Sequence, residues 1–223
     1  MKLVFFLLII ILILFSIAAF TGYSYYKKAI SEKSLSDRVE KYTKSENYVK
    51  YDDLPEFYIN AVISVEDHRF FQHGPIDFIG ITRALFNNIT TGNFDEGGST
   101  ITQQVAKNVV FTQEQTLSRK LGELFAAYDL EKNYSKEEIF ALYVNSSYFG
   151  DGYYGIHDAS YGYFNKSPKD LSLNESSMLA GIPNAPSIYA PTVNPDLAKE
   201  RQQHVLNRMI ECKYITENEA KLI

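Results

Sequence analysis

The first residues that could do chemistry form an acidic pair at the end of an apolar stretch. The sequence from Glu66 to His73 reads EDHRFFQH and follows apolar residues at helical spacing. A carboxylate held in such a place can act as a general base, which takes a proton from an attacking hydroxyl. An ordinary helix end that turns toward solvent would use the same residues, and the cluster alone does not separate the two readings.

A second cluster follows two consecutive glycines. Residues 97–104 read GGSTITQQ. Glycines let the backbone approach a ligand closely, and the hydroxyls and free N–H groups at a helix start suit an anionic oxygen. Simple capping of a helix by Ser99 explains the same pattern, so this alternative also stays open.

The third cluster is Arg119-Lys120 with Glu123 four residues after the arginine. Residues four apart lie on one side of a helix, and here that side is opposite an apolar stripe. The cations could stabilise negative charge that develops in a reaction. The alternative is an exposed ion pair that contributes about 0.3–0.5 kcal/mol.

Other sites are excluded by composition or context. The chain has 223 residues, a formal net charge of −5 and one cysteine, Cys212, which argues against nucleic-acid binding, a disulfide and a multi-cysteine metal site. Residues 150–155 match GxGxxG but follow a helical pattern, so no dinucleotide site is expected. The SDN and KTG sequences of penicilloyl-serine enzymes are absent, as are HExxH and a GK[ST] phosphate loop.

The N-terminus predicts a membrane anchor. From Leu3 to Phe20 only Ser16 is not apolar, and a helix of this length covers about 27 Å, close to the hydrocarbon thickness of a bilayer. A cleaved signal peptide is the alternative, but its apolar region is usually shorter. Lys27, Lys28 and Lys33 follow the span, whereas only Lys2 precedes it, so a positive-inside count places the C-terminal part in the cytoplasm.

The remaining residues predict a mainly α domain. We expect a transmembrane signal-anchor over residues 1–22, a polar juxtamembrane stalk over 23–50 and one compact domain over 51–223. Long alternating strand patterns are absent, and start signals mark the helices. Expected helices open after Leu54-Pro55, cover Asp77–Asn88, run from Ser99 to about Val110, cover Thr116–Asn133 and Ser135–Asn145, follow Ser172 and begin at Pro195.

In order along the chain, these clusters resemble the family 51 peptidoglycan glycosyltransferases, the transglycosylase domain of class A penicillin-binding proteins. The resemblance covers about residues 48–211, and the size matches the monofunctional kind. GSTITQQ is the most specific segment. The five matching segments are Glu66-Asp67…Phe70…His73, Gly98–Gln104, Arg119-Lys120…Glu123, Lys136…Ile139…Tyr143…Asn145 and Arg201…Val205-Leu206…Met209.

The resemblance implies a helical, lysozyme-like fold with two lobes and a membrane-associated region around a groove. It implies an enzyme outside the cytoplasmic membrane that polymerises lipid II into β-1,4-linked glycan and releases undecaprenyl diphosphate with inversion. It therefore places the catalytic domain on the extracytoplasmic side, against the lysine count. Implied partners are lipid II, the growing strand, the membrane and cell-wall proteins such as transpeptidases.

The resemblance also implies roles for single residues. Glu66 would be the catalytic base, and Glu123, the second family glutamate, would position cations or a divalent metal. Asp67 and His73 would fix the loop of Glu66. Substrate contacts are implied for Ser99, Thr100, Gln103, Gln104, Lys107, Arg119 and Lys120.

Three positions depart from the family pattern. Gln115 stands near a usual Arg or Lys, which suggests Lys120 or a divalent cation (Mg or Mn) near Glu123 as a substitute, although no cofactor is implied with certainty. Pro75 stands where glycine is usual, and Gln202 replaces an arginine. Apolar residues before the second cluster could face lipid or form a helix core; these are Phe78, Ile79, Ile81, Leu85 and Phe86.

Two other functions use the same residues. A glycan-cleaving enzyme also needs a glutamate in a groove, but it has no diphosphate leaving group for Lys107 and Arg119 to stabilise. A non-enzymatic cell-wall scaffold would not need Glu66, Glu123 and the hydroxyls of GSTITQQ, all of which this chain has.

Overall fold

A computed structural model describes residues 2–91, 98–111, 114 and 116–223. The predicted mainly α class is confirmed: within these ranges there is no strand, only an isolated bridge between Tyr148 and Tyr154. The helices are α1 Lys2–Glu32, α2 Leu35–Thr43, α3 Glu56–Glu66, α4 Phe78–Thr91, α5 Ile101–Val105, α6 Leu117–Asn133, α7 Lys136–Ser146, α8 Ile156–Phe164, α9 Leu173–Gly181, α10 Pro186–Tyr189, α11 Pro195–Glu211 and α12 Glu217–Ala220.

Helix α1 extends well beyond the predicted anchor. It is long and apolar enough to cross a membrane, and its last turns lie against α6. A side chain at Gly22 would meet the backbone of Leu121 at 2.9 Å, so the two helices approach closely there. The hydroxyl of Tyr26 donates to Asp129 at 2.5 Å. The last turns of α1, beyond the apolar span, therefore pack onto the helix that carries the third cluster.

The segment 23–50, predicted as a polar stalk, packs on the rest of the chain. Tyr26, Val39 and Val49 are buried in the main hydrophobic core. The backbone N–H of Val49 donates to Asn145, whose amide returns a bond to the Val49 carbonyl. The sequence did not reveal this because few apolar residues, widely spaced, provide the contact. The boundaries at residues 22 and 50 stay predictions.

Helix α3 lies at the centre of the packing. It contacts α9 and α11, and most of its side chains are buried, including Tyr58, Val62 and Ile63. Such burial fixes the helix axis, because each fully buried aliphatic side chain contributes about 1.5–3 kcal/mol. Glu66 is its last residue, so the core determines where this carboxylate lies.

Most of the predicted helix starts are confirmed. Ser135 and Ser172 form the expected capping boxes with Glu138 and Glu175. The third expected helix differs: Thr100, not Ser99, caps α5, and residues Ala106–Val110 continue it as a π-helical segment.

The apolar stripe predicted on α6, formed by Leu117, Leu121, Leu124, Phe125 and Tyr128, is only partly buried. Leu117 and Tyr128 are 76% and 64% exposed and the other three are half-buried, whereas Gly122, Glu123 and Ala126 are buried. At Gly122 the close approach of α1 and of Phe111 leaves room only for a residue without a side chain. A side chain at Gly122 would meet rings of Phe111 and Tyr25.

Candidate active site

Glu66 ends α3 with one carboxylate oxygen bonded and the other free of protein partners. Its Oε2 accepts a 2.6 Å hydrogen bond from Gln104 on α5. Its Oε1 is buried and has no hydrogen-bond partner among the described residues. Burial raises the pKa of Glu66, while Gln104, Arg201 and Lys107 oppose the rise. A carboxylate with a free oxygen and a raised pKa suits proton abstraction.

The loop after Glu66 is held by a buried aspartate. One oxygen of Asp67 accepts a 2.7 Å hydrogen bond from His73 Nε2. The other accepts a 3.1 Å hydrogen bond from the Ile101 backbone N–H. Burial alone would lower the pKa of His73, but its bonds to Asp67 and the Gly74 carbonyl outweigh burial and raise it. These contacts join the loop of Glu66 to the start of α5.

Asp77 holds the far end of the same loop. Its carboxylate accepts from Arg69 and, at 2.9 Å, from the Gly80 backbone N–H, so it caps α4. Burial would raise the pKa of Asp77, but these bonds lower it to about 2. Arg69 was not singled out in the sequence, although it lies inside the first cluster.

The carbonyl of Pro75 connects this loop to the second cluster. It accepts from the Thr100 hydroxyl at 3.1 Å and from the Gln103 amide at 3.2 Å. Proline keeps its carbonyl, so the departure from glycine leaves this contact intact. Thr100 and Gln103, expected to bind substrate, are buried and donate to this carbonyl, so they position the loop. Their contact with substrate stays a prediction.

Lys107 lies on the π-helical segment, between the two charged clusters. A π-helical turn shifts side chains relative to a regular helix and occurs often at functional sites. Glu66, Glu123, Arg119 and Lys120 all lie within electrostatic range of the Lys107 ammonium group. Burial lowers the pKa of Lys107; the charge of Glu123 opposes this, whereas the neighbouring cations add to it.

Glu123 is buried and pairs with two cationic side chains. It is 1% exposed and accepts from Arg119 with one oxygen and from Lys120 at 2.9 Å with the other. The Lys120 ammonium group also donates to Ser99 at 2.8 Å. The exposed ion pair that the sequence allowed as an alternative is therefore wrong. Arg119, Lys120 and Ser99 form one cationic cluster.

The donor set at Glu123 does not fit a divalent cation. Both carboxylate oxygens already face Arg119 and Lys120, and two positive charges would repel a metal ion. Atoms of Asp67, His73 and Asp77 lie within 4.8 Å of one another. Each of these groups, however, already has an internal partner: Asp67 and His73 bond to each other, and Asp77 accepts from Arg69 and Gly80.

Sequence reasoning missed several residues around Glu66. Arg201 lies within electrostatic range of the carboxylate, and its membership in the last segment was the available signal. Lys136 lies 4.4 Å over the Phe70 ring and pairs with Glu131, which accepts from Thr102. Side-chain pairing across helices has no sequence spacing that would reveal it.

Four residues singled out in the sequence lie away from these contacts or outside the described part of the chain. Gln202 is buried and its amide donates to Asn174 and Ser177, a structural role. Gly97 and Gln115 lie outside the described residues, as does the side chain of Leu85.

Comparisons with known proteins agree on one family. The sequence profile of a family described as Transglycosylase matches residues 32–210. Penicillin-binding protein 1A of Neisseria lactamica is 49% identical over 169 residues, which is 76% of this chain and 21% of that protein. Penicillin-binding protein 1F of Bacillus subtilis (strain 168) is 45% identical over 179 residues, 80% of this chain and 25% of that protein. The chain thus spans about a fifth to a quarter of the length of these curated relatives.

Proposed function

This chain belongs to the transglycosylase family, and we propose that it is a peptidoglycan glycosyltransferase that polymerises lipid II. The acceptor's N-acetylglucosamine 4-hydroxyl attacks C1 of the donor's N-acetylmuramic acid. The new C1–O bond is the β-1,4 link, and the bond from C1 to the diphosphate oxygen breaks. The electron pair leaves with undecaprenyl diphosphate, and the configuration at C1 inverts.

The observation that carries this proposal is the free Oε1 of Glu66, a carboxylate within electrostatic range of Lys107. A sugar hydroxyl is a weak nucleophile, so it needs a base at the moment of attack. A positioned base typically contributes about 10²–10⁴-fold to the rate. The proton of the 4-hydroxyl would pass to Glu66, whose other oxygen is held by Gln104.

The cations would stabilise the leaving diphosphate. The diphosphate gains negative charge as it leaves, and preorganised positive groups lower the barrier. Lys107 extends the cationic cluster of Arg119 and Lys120 toward Glu66. Since Glu123 holds both cations with its own oxygens, this region binds an anion without a metal ion in the proposed mechanism.

An apolar surface supports action on a lipid-linked substrate. Phe78, Ile79 and Phe86 of α4 are 72%, 62% and 67% exposed, and Leu117 of α6 is 76% exposed. They are therefore not a helix core, the alternative left open by the sequence. Exposed apolar surface of this kind is typical of a membrane contact. We propose that it rests on the bilayer beside α1, with the domain on the extracytoplasmic side.

Polymerisation of labelled lipid II by the full-length protein tests the proposal. We expect products longer than the substrate in a gel assay and an inverted configuration at each new link. Glu66→Gln should prevent their formation, whereas Lys132→Ala, at an exposed position of α6, should not. Shortening of preformed glycan in place of elongation would identify a hydrolase or lytic enzyme and refute the proposal.

A further inference from the structure

Two buried tyrosine hydroxyls make no hydrogen bond of ordinary distance and angle with any described residue, and both lie in electrostatic range of Glu66. Among the described residues, the buried side-chain atoms without a hydrogen bond are the hydroxyls of Tyr58, Tyr143 and Ser176 and Oε1 of Glu66. Tyr58 and Tyr143 are 0% and 1% exposed. Buried polar atoms nearly always have partners, so this concentration of two donors and one acceptor requires an explanation.

The fold brings these groups together from two helices. Tyr58 and Glu66 are eight residues apart on α3, which places them about two turns apart and on the same side of the helix. Tyr143 comes from α7, which packs against α5, the helix that carries Gln104. The negative charge of Glu66 lies close enough to raise the pKa of both phenols, after the larger effect of burial.

We infer that Tyr58 and Tyr143 are positioning residues whose hydroxyl dipoles face Glu66 and set how readily it takes a proton. The inference rests on the proposed role of Glu66 as the base. A phenylalanine at either position would fill the same volume without burying an unpartnered hydroxyl, which is unfavourable. Packing alone therefore does not account for the two hydroxyls, whereas a carboxylate in electrostatic range gives their dipoles a role without a direct hydrogen bond.

The direction of the effect follows from the charges. Both phenols stay protonated at neutral pH, since their pKa values are raised, and an O–H dipole directed at a carboxylate stabilises its ionised form. The hydroxyls thus act with Gln104, Arg201 and Lys107 against burial and Asp67, which raise the pKa of Glu66. Two other groups act on Tyr143: Ser147, whose side chain lies within hydrogen-bonding reach of the phenol, and Arg201, which is in electrostatic range.

The test is the pH dependence of kcat in Tyr58→Phe and Tyr143→Phe of the full-length protein. Loss of either hydroxyl should shift the acidic limb upward by about half a pH unit or more, because the base protonates more easily. The matched control is Tyr163→Phe, which removes a hydroxyl that donates 2.8 Å to the Phe149 carbonyl. Its acidic limb should stay at the wild-type pH.

A second measurement does not need activity. The infrared band of a protonated carboxyl that disappears in Glu66→Gln reports the titration of Glu66 directly. We expect this titration to move upward in both tyrosine variants and not in Tyr163→Phe. An unmoved titration in folded variants would overturn the inference, even if the wild-type protein polymerises lipid II. If the wild-type protein forms no glycan, the proposed function fails, and the infrared shift still decides the role of the tyrosines.

Discussion

Two glutamates of this protein, Glu66 half-buried and Glu123 fully buried, have opposite surroundings. Glu66 ends α3 and has one oxygen bonded to a neutral amide and one without a hydrogen-bond partner among the described residues. Glu123 lies inside α6 and has each oxygen on a cation. The C-terminal end of a helix dipole also disfavours a negative charge at Glu66. Glu66 thus has an oxygen available to take a proton, whereas both oxygens of Glu123 are bonded to cations.

This difference separates two tasks that a glycosyl transfer needs. A base must have an unused acceptor and an elevated pKa, and Glu66 has both. A group that orders cations must instead have its acceptors used, and Glu123 does. Lys107 lies in electrostatic range of both glutamates and links the two regions.

The largest expected effect on the polymerisation rate is that of replacing Glu66. Glu66→Gln keeps the shape and the bond with Gln104 but cannot accept a proton, so lipid II polymerisation should fall by at least about 10²-fold. The measurement is the initial rate at saturating lipid II. A variant that is folded by circular dichroism and retains wild-type turnover would remove Glu66 as the base.

Lys107→Ala should reduce turnover by about 10²-fold, because positive charge beside the leaving group is lost. The rate at saturating lipid II measures this directly. Lys132→Ala serves as the matched control, since Lys132 is an exposed lysine near the end of α6. Equal rates for the two variants would show that Lys107 does not stabilise the leaving group.

Glu123→Gln should mainly destabilise the fold. It leaves Arg119, whose side chain is 11% exposed, and Lys120 without their counter-charge. Breaking a buried ion pair typically lowers the free energy of unfolding by about 3 kcal/mol, or roughly 10 °C in melting temperature at this size. Thermal unfolding followed by circular dichroism checks this, and a melting temperature equal to that of Glu66→Gln would contradict the comparison.

The pH dependence of stability should differ in sign between two carboxyls. The folded-state pKa of Glu66 lies above the ordinary 4.5, so this residue weakens the fold as pH rises above 4.5. The melting temperature of Glu66→Gln should therefore be higher than that of the wild type at neutral pH and equal to it at pH 4. Asp77 has a pKa of about 2, below the ordinary 3.8. It therefore stabilises the fold above pH 3.8, and this contribution is lost as the pH falls toward 2. Melting curves of Glu66→Gln and Asp77→Asn from pH 2 to 7 measure both.

The smallest expected effect is that of a chelator. Since the oxygens of Glu123 are occupied by Arg119 and Lys120, EDTA should change the rate by less than about twofold in the proposed mechanism. The assay is lipid II polymerisation with EDTA, followed by addition of Mg²⁺ or Mn²⁺. A large loss that either ion restores would place a metal requirement elsewhere in the site.

Local signals predicted much of the helical framework. The capping serines before α7 and α9 and the proline that begins α11 act within one turn of the chain, so their effect is visible in the sequence. The candidate base and the cations were likewise named from short segments. The partner of each was not: Gln104 is 38 residues from Glu66, and Asp67 binds the N–H of a residue 34 positions away.

Prediction failed where distant helices decide burial. The apolar residues of α6 suggested a core face, yet Leu117 and Tyr128 are exposed while Gly122 is buried where α1 approaches it closely. Segment 23–50, predicted as a polar stalk, contributes Tyr26, Val39 and Val49 to the core.

The sequence by itself determined the helix starts, an apolar N-terminal span and the identity of the ionisable groups, because these depend on neighbours within a few residues. Only the tertiary structure decided which carboxylate keeps a free oxygen and which is saturated by cations. Solvation and charge act through space, so the pKa of Glu66 is raised by burial and lowered by Gln104, Arg201 and Lys107, groups that only the fold brings near it.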